Sequence, residues 1–181
     1  MNYASIREMD ISNGESIGVA LFVQGCHFHC KNCFNSETWD FNGGKEWTED
    51  IKNKFLKLID KPYINRISIL GGEPLADENV ENVLKLVNEI RISFPNKNIW
   101  IYSGYTWEQI VYPVITDDFN PERDKIIKMR QDILKSCDVL VDGRYVDSQR
   151  DITLKWRGSK NQRVIDLKKT YQEKRIVLYE N

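Results

Sequence analysis

The sequence predicts an α/β protein organised around a mostly parallel sheet. Apolar, strand-like runs alternate with amphipathic helical segments, which is the pattern of βαβ units. Each of the four predicted strands ends at or just before a glycine: Gly25, Gly71, Gly104 and Gly143. Any one of these glycines is equally consistent with a tight turn. Together they indicate one site, because ligands of parallel α/β proteins bind at the carboxyl ends of the strands, where glycine lets the backbone approach closely.

The first part of the chain contains two predicted strands with a helix between them. Residues 1–18 carry only a turn signal, and the apolar residues 19–23 form the first strand. A helix begins near Thr48, because apolar residues then recur at i, i+4, i+7 and i+8, and Pro62 ends it. Aliphatic and β-branched residues predict the second strand at residues 66–70.

The middle of the chain repeats this alternation. Asp77 is the expected N-cap of a helix with an apolar stripe, and residues 98–102 form the third strand. Thr106 is expected to cap a short helix, and Pro121 is expected in the first turn of a longer one. Residues 138–141 form the fourth predicted strand.

Length and composition favour a single domain over residues 1–181. The chain is 41% hydrophobic and 29% charged, which is typical of a globular protein with a sizeable core. No apolar run approaches the roughly 18 residues of a membrane span. Residues 1–10 lack the features of a secretory signal. Three cysteines crowded into one loop do not resemble a disulfide framework, so we expect a reducing, cytoplasmic setting.

A basic C-terminal extension is expected from residue 150 onward. Residues 150–175 contain nine Lys or Arg and three acidic residues, whereas the whole chain has a net charge of −1. Such an arm can meet an acidic protein surface or nucleic acid, and the simpler interpretation is a solvated tail. A short helix is expected near residues 163–169 and a last strand at residues 175–179. The central basic residues are Arg157, Lys160 and Arg163.

The main chemical feature is a C-x3-C-x2-C motif formed by Cys26, Cys30 and Cys33, directly after the first strand. Thiolates spaced this closely can converge on one metal centre. A structural zinc ion needs four protein ligands, so zinc would recruit a histidine of the loop or the distant Cys137. A 4Fe-4S cluster held by three cysteines would leave one iron open to a substrate or cofactor. Spacing favours the cluster, and leaves zinc and unligated thiols as alternatives.

Other residues near the motif have two interpretations each. His27 and His29 are the only histidines; either could tune a cluster, but loops run over the surface, so we expect both to be partly exposed. Phe28 and Phe34 either shield a cluster from water or pack beneath the loop. Cys137 is expected to be a small buried hydrophobic residue.

Two motifs together resemble the radical S-adenosylmethionine (SAM) superfamily: the cysteine loop after the first strand, and Gly-Gly-Glu-Pro at residues 71–74 after the second. Further runs are similar to the activating proteins of anaerobic ribonucleoside-triphosphate reductase. They are Cys-Phe-Asn at residues 33–35, Thr-Trp at 38–39, Asp-Gly-Arg-Tyr at 142–145 and Trp-Arg-Gly-Ser-Lys-Asn-Gln at 156–162. The resemblance covers residues 10–166.

The resemblance implies a fold, a cluster and a set of cofactor contacts. The fold is a partial, open (β/α) barrel of the radical SAM type. Cys26, Cys30 and Cys33 hold a 4Fe-4S cluster, and its open iron binds the amino and carboxylate groups of SAM. The implied SAM contacts are Asn32, Cys33 and Phe34 against the adenosyl group, and Gly71, Gly72 and Glu73 near the methionine amino group.

The resemblance also implies a reaction and its partners. The reduced cluster passes one electron to SAM, giving methionine and a 5′-deoxyadenosyl radical that takes a hydrogen atom from a glycine near the C-terminus of the reductase. Reduced flavodoxin or a similar carrier supplies the electron. One alternative is an activase of another glycyl-radical enzyme of the pyruvate formate-lyase type. A second is a zinc-stabilised nucleic-acid-binding module that uses the basic arm.

Four residues carry further expectations. Many radical SAM proteins have an aromatic residue just before the third cysteine, whereas this chain has Asn32. We therefore expect backbone groups of this loop to contact SAM there. Glu73 is expected to be a binding carboxylate beside the methionine amino group. Asp142 and Arg144 follow the fourth strand, so they line the site, contact the partner or form a surface salt bridge.

Overall fold

The computed structural model describes residues 1–114 and 119–179, which form an open seven-stranded sheet and five α-helices. The strands are β1 (Asn2–Asp10), β2 (Gly18–Val23), β3 (Lys45–Glu46), β4 (Arg66–Gly71), β5 (Asn98–Ser103), β6 (Val139–Asp142) and β7 (Arg163–Asp166). The helices are α1 (Glu49–Ile59), α2 (Asp77–Ser93), α3 (Trp107–Val111), α4 (Pro121–Ser136) and α5 (Leu167–Glu173). None of these helices has the length and apolarity needed to cross a membrane.

The sheet has a parallel centre and antiparallel flanks. The spatial order is β3-β1-β2-β4-β5-β6-β7. Neighbours from β2 through β6 run parallel, whereas β1 pairs antiparallel with β2 and β3, and β7 pairs antiparallel with β6. The α/β prediction is therefore confirmed, but the sheet is parallel only through its four central strands.

Helix-start signals in the sequence are confirmed at three positions. Thr48 caps α1 and accepts a hydrogen bond from the Ile51 amide. Thr106 caps α3 in a reciprocal capping box with Gln109. Pro121 is the first residue of α4, where its fixed φ favours the helix and the missing N–H leaves no hydrogen bond unmade.

Three sequence predictions of local structure are wrong in detail. Ala76, in extended conformation, is the N-cap of α2, and Asp77 is its first helical residue. Residues 163–166 form β7, and the helix starts only at residue 167, where Asp166 caps it. Residues 175–179 make an isolated bridge at Leu178 instead of a strand. Polar and apolar residues do not alternate in the segment 163–166, so the strand is recognised only from its pairing with β6.

Strand β1 was not predicted. Its apolar residues, Tyr3, Ala4, Ile6 and Met9, do not alternate regularly with polar ones, and most of its side chains are exposed or half-buried. The pairing with β2 is interrupted by two register shifts, which disturb the alternation that marks a strand in a sequence.

The helices cover one face of the sheet. Side chains from all five helices pack with β-strand residues in one large apolar core. The other face carries two smaller apolar groups, and no described helix contributes to them. One group contains Ala20, Phe22 and Leu70; the other contains Trp100, Val139, Val141 and Val164. A sheet covered by helices on one face leaves the other face free to line a cavity.

Arg66 closes this free face at the amino-terminal end of β4. Its side chain is 0% exposed and pairs with the Asp10 carboxylate at 3.0 Å. It also donates to the carbonyl oxygens of Asp10 at 2.7 Å, Asn13 at 2.5 Å and Glu15 at 3.1 Å. The β1–β2 connection is thereby held across the start of β4.

Replacing Asp10 by Asn is expected to destabilise the protein strongly. Burial raises the pKa of Asp10, but hydrogen bonds from Asn13 and Arg66 and the charge of Arg66 outweigh it, so the pKa lies below the ordinary 3.8. The ion pair therefore stabilises the fold above the ordinary pKa, and this contribution is lost as the pH falls through the lower folded value. An uncompensated buried guanidinium costs about 3–5 kcal/mol. We expect a fall of about 10 °C in the melting temperature of the variant near neutral pH.

The matched control is Arg7→Gln. Arg7 contacts the same Asp10 carboxylate at 3.6 Å, but its side chain is 54% exposed. Such pairs are typically worth about 0–1 kcal/mol. Equal losses of melting temperature in the two variants would contradict the importance of the buried pair.

Candidate cofactor site at the carboxyl ends of the parallel strands

A cavity of about 470 Å³ opens at the carboxyl ends of the parallel strands. Its wall contains the loops that follow β2, β4, β5 and β6, together with residues of the free sheet face. Cys26, Cys30 and Cys33 all line it. Three of the four glycines that were predicted to mark one site also line it, namely Gly71, Gly104 and Gly143, whereas Gly25 does not. The sequence argument for a single site at this edge therefore agrees with the structure.

Backbone hydrogen bonds hold the start of the cysteine loop on two sides. The amides of Gly25 and Cys26 donate to the carbonyl oxygens of Thr38 at 2.8 Å and Trp39 at 3.0 Å. The Glu73 amide donates to the Gly25 carbonyl at 2.7 Å. Gly72 is required for this approach, because a Cβ there would collide with the Gly25 carbonyl oxygen. The loop after β2 is thus fixed against the loop after β4.

Two of the three cavity thiols, those of Cys26 and Cys30, hold their protons more tightly than a free cysteine does. Burial raises the pKa of Cys26 to about 11, and the nearby charges of Glu73 and Cys30 act in the same direction. Burial also raises the pKa of Cys30, with the neighbouring Cys33 as the next contribution. Ligands to iron must be thiolates, so loading a metal centre here releases protons.

The donor set fits a cluster that has three cysteine ligands. Cys137 is 3% exposed and belongs to the core on the helical face, as predicted. His27 bonds Glu78 at 2.8 Å, and the His29 ring stacks on Trp39 at 4.7 Å. None of these three candidates for a fourth ligand lines the cavity, and among the described residues no three His, Cys, Asp or Glu converge on the position of a single ion. Thiolates that bind different irons of one cluster need not converge in that way.

Asn32 contributes to the loop through its conformation and its amide. Its φ is +55°, a left-handed conformation that Asn adopts more readily than an aromatic residue does. The side chain donates to Asp147 at 2.9 Å, and this bond is the first cause of the lowered pKa of Asp147. The side chain of Asn32 is therefore directed to the 143–149 segment.

Glu73 is buried at the junction of the β4 and β5 loops. Its carboxylate accepts hydrogen bonds from the Leu75 amide at 2.8 Å, the Ser103 hydroxyl at 2.9 Å and the Gly104 amide at 2.7 Å. Burial is the larger effect and raises the pKa of Glu73 to about 7, while those hydrogen bonds lower it. Such a carboxylate gains stability from any cation placed beside it.

Aromatic and arginine side chains form the outer wall. The Phe28 ring packs against Tyr105 at 4.8 Å, and the Arg144 guanidinium lies 4.3 Å from the Phe28 centroid. Phe34 is 55% exposed and packs on Tyr145 at 5.2 Å. Arg144 also lines the cavity, which is one of the three roles predicted for it.

Asp142 has a structural position beside the cavity. It is 1% exposed, accepts a hydrogen bond from the Trp107 amide at 2.8 Å and pairs with Arg163 at 2.5 Å. Arg163 also contacts Glu108 at 2.8 Å. Of the alternatives predicted for Asp142, the salt bridge is the one observed. In this pair the Asp142 side chain is buried, whereas the Arg163 side chain is 31% exposed.

Several cavity residues were not found from the sequence. Phe22, Leu70 and Tyr102 form its floor, and they were visible only as alternate residues of predicted strands. Arg130, which does not line the cavity itself, was also missed: it reaches from α4 to the Leu75 carbonyl at 2.8 Å, and its guanidinium lies 4.4 Å from the Tyr105 centroid. No local pattern distinguishes such an arginine from a solvent-exposed one.

Comparison with known proteins agrees with this arrangement. Residues 12–165 match the family described as the 4Fe-4S single cluster domain. The chain is 35% identical to the anaerobic ribonucleoside-triphosphate reductase-activating protein of Escherichia coli K12 over 170 residues, covering 93% of this chain and 100% of the relative. It is 35% identical to the protein of that name from Vibrio cholerae, covering 90% and 96%, and 33% identical to that of Enterobacteria phage T4, covering 91% and 93%.

The family match spans most of the chain and includes all three cavity cysteines, and the relatives are aligned over nearly their full lengths. The chain therefore belongs to the family of anaerobic ribonucleoside-triphosphate reductase-activating proteins, with a 4Fe-4S single cluster domain.

Proposed function

We propose that this chain activates an anaerobic ribonucleoside-triphosphate reductase by generating a glycyl radical on it. The observation that carries the proposal is the presence of three thiols, from Cys26, Cys30 and Cys33, on one cavity wall in a member of this family. A 4Fe-4S cluster and SAM bound there supply reductive cleavage to methionine and a 5′-deoxyadenosyl radical, which takes a hydrogen atom from a reductase glycine. The chain itself supplies binding, orientation and exclusion of water.

The proposed SAM contacts are those expected from the resemblance: Asn32, Cys33, Phe34, Gly71, Gly72 and Glu73. Five of these six residues line the cavity: Cys33, Phe34, Gly71, Gly72 and Glu73. Asn32 is exposed and its amide is bonded to Asp147, so we assign its contribution to the backbone. We further interpret the open sheet as a partial (β/α) barrel of the radical SAM type, because its helices cover only the outer face.

Glu73 is the proposed partner of the methionine amino group. Its carboxylate is desolvated, and it already satisfies three donors of the protein. Among the described charged side chains of the cavity wall it is the only acid, the others being Arg7, Arg144 and Arg157. A cationic amino group therefore has one favourable place in this wall, next to the loop that carries Gly71 and Gly72.

The floor of the cavity favours a water-poor reaction. Phe22 and Leu70 are 6% and 5% exposed, and they present apolar surface at the base. A reactive radical needs such a site, because sequestration suppresses its side reactions. We propose that the glycine-bearing segment of the reductase enters from the open side and completes the wall.

A second hollow supports a route for the electron. Its wall contains Cys26 and Trp39, which also line the main cavity, so these two residues lie between the hollows. The other residues of the hollow include His27, His29 and Phe41. We propose that reduced flavodoxin or a similar carrier docks on this outer face, within the cytoplasm, and delivers its electron through the Cys26 side.

The proposal is tested anaerobically with the complete chain. Iron and sulfide are counted per chain, the protein is reduced, and SAM is added alone and then with the reductase. We expect four irons, methionine and 5′-deoxyadenosine, and a glycyl radical signal on the reductase by electron paramagnetic resonance. A radical formed on a pyruvate formate-lyase type enzyme but not on the reductase would reject the partner. Intact SAM with a reduced cluster would reject the chemistry.

Replacing Cys26, Cys30 or Cys33 individually by Ser is expected to remove most of the bound iron and all radical formation. Each change deletes one of only three thiolates on the cavity wall. The matched control is Cys137→Ser, which alters the remaining cysteine on the helical side of the sheet. We expect this control to retain cluster and activity. Loss of iron in Cys137→Ser, measured per folded chain, would reassign the ligand set.

Replacing Glu73 by Gln is expected to raise the half-saturating SAM concentration by about tenfold or more, because losing one member of a buried charged pair costs about 2–5 kcal/mol. Iron per chain should stay at the level of the unaltered protein. Glu78→Gln is the control, since this carboxylate is 49% exposed and bonds His27 outside the main cavity. An unchanged SAM dependence in Glu73→Gln would remove Glu73 from the SAM contacts.

A further inference from the structure

Arg157 lines the wall of the cavity and has no partner among the residues that the structure describes. It is half-buried, and its Nε is fully buried with no hydrogen-bond acceptor. Within the described ranges its guanidinium has no hydrogen bond, ion pair or ring contact, whereas Arg7 and Arg144 of the same wall contact Phe22 and Phe28. A buried donor without an acceptor is costly, so such a group calls for an explanation such as a ligand.

The residue before Arg157 has a strained backbone conformation. Trp156 has a φ of +62°, which is unfavourable for a bulky side chain. Its ring is held at 5.0 Å from Trp100 and 5.9 Å from Tyr179, at the base of the free sheet face. The left-handed turn therefore packs the half-buried indole on the free sheet face, and Trp156 and Arg157 both line the cavity.

The rest of the segment holds this turn in place. Gln162 accepts hydrogen bonds from the amides of Gly158 at 2.9 Å and Ser159 at 3.1 Å, and it donates to the Gly143 carbonyl at 2.9 Å. Gly158 lies so close to the cysteine loop that a Cβ would be 2.8 Å from Phe34. A strained backbone that is fixed this firmly is typical of functional sites.

The position of Arg157 separates it from the methionine end of SAM. Trp156 packs with residues of β5, β6 and β7, whereas Gly71 and Gly72 follow β4. Adjacent strands are about 4.8 Å apart, so the β6 side lies about 10 Å from β4. Under the proposed function, on which this inference rests, the methionine amino group lies beside Gly71, Gly72 and Glu73, at the loop that follows β4. Arg157 therefore lies on the other side of the cavity from the methionine end, where another molecule that shares the cavity can supply its acceptor.

We propose that Arg157 binds oxygen acceptors of the reductase segment that carries the target glycine, either a side-chain carboxylate or main-chain carbonyl groups. Glycine offers no side chain to bind, so its position must be fixed through the neighbouring backbone and residues. A guanidinium presents a planar fork of donors that fits two oxygen acceptors at once. Arg157 is thus a substrate-binding residue for the polypeptide, distinct from the residues that contact cluster and SAM.

The test compares Arg157→Gln and Arg157→Lys with Arg175→Gln, a control that removes one charge from the same basic stretch at a 70% exposed site. Anaerobic titration calorimetry on the reconstituted protein measures the dissociation constant for SAM alone and, with SAM present, for the reductase. We expect Arg157→Gln to weaken reductase binding tenfold or more and SAM binding less than twofold. Arg157→Lys should fall between, because it keeps the charge and loses the fork.

Two results would overturn the inference. Weaker SAM binding in Arg157→Gln, with an unchanged reductase constant, would assign Arg157 to the cofactor. Unchanged constants for both would make it a solvated cation. Iron content and melting temperature report folding, and the lysine variant decides the matter if the glutamine variant does not fold. Failure of the proposed function appears separately, as absence of a glycyl radical in the unaltered protein even where the complex forms.

Discussion

The alignment between β2 and β4 is the constraint on which the site depends. The two strands pair in register from Gly18 with Arg66 to Val23 with Gly71. Hydrogen bonds continue the pairing past the strand ends, from Gly72 to Val23 at 2.9 Å and from Glu73 to Gly25 at 2.7 Å. Because the side-chain period of a strand is two, a slip of one residue would turn the inward residues of either strand to the other face. The register therefore sets both the core and the meeting of the cysteine loop with the Gly-Gly-Glu-Pro loop.

A sheet with helices on one face has a consequence for its other face. That face must be covered or it exposes apolar side chains to water. Here the lower part is closed by residues distant in the chain: Arg66 with the β1–β2 connection, and Trp156 with Tyr179 against Trp100. The upper part stays open and becomes the cavity. The function of the site therefore depends on incomplete coverage, which the closing residues limit to one end of the strands.

The sequence was sufficient for features that depend on local chemistry. Apolar periodicity located the central strands and α1, cap residues located α1 and α3, and three of the four glycines marked the edge of the sheet where the cavity opens, because each signal acts within a few residues. It was not sufficient for β1 and β7, whose side chains show little alternation and whose pairing partners are set by tertiary structure. Arg130, Tyr102 and the pairing of the buried Asp142 with Arg163 were missed for the same reason, since these residues meet their neighbours only across the fold.

At the site, the cysteine loop also contacts a segment that lies more than one hundred residues later in the chain. The cysteine loop contacts the later segment through Asn32 with Asp147 and through Phe34 with Tyr145. A cluster that fixes three thiolates reduces the motion of that loop, and its binding free energy adds to the stability of every contact the ordered loop makes. Under the proposed function, occupancy of the cysteines would therefore stabilise the contacts that residues 143–162 make with the loop. Because the same segment carries Arg157, the proposed polypeptide-binding residue would be ordered together with the cofactor centre.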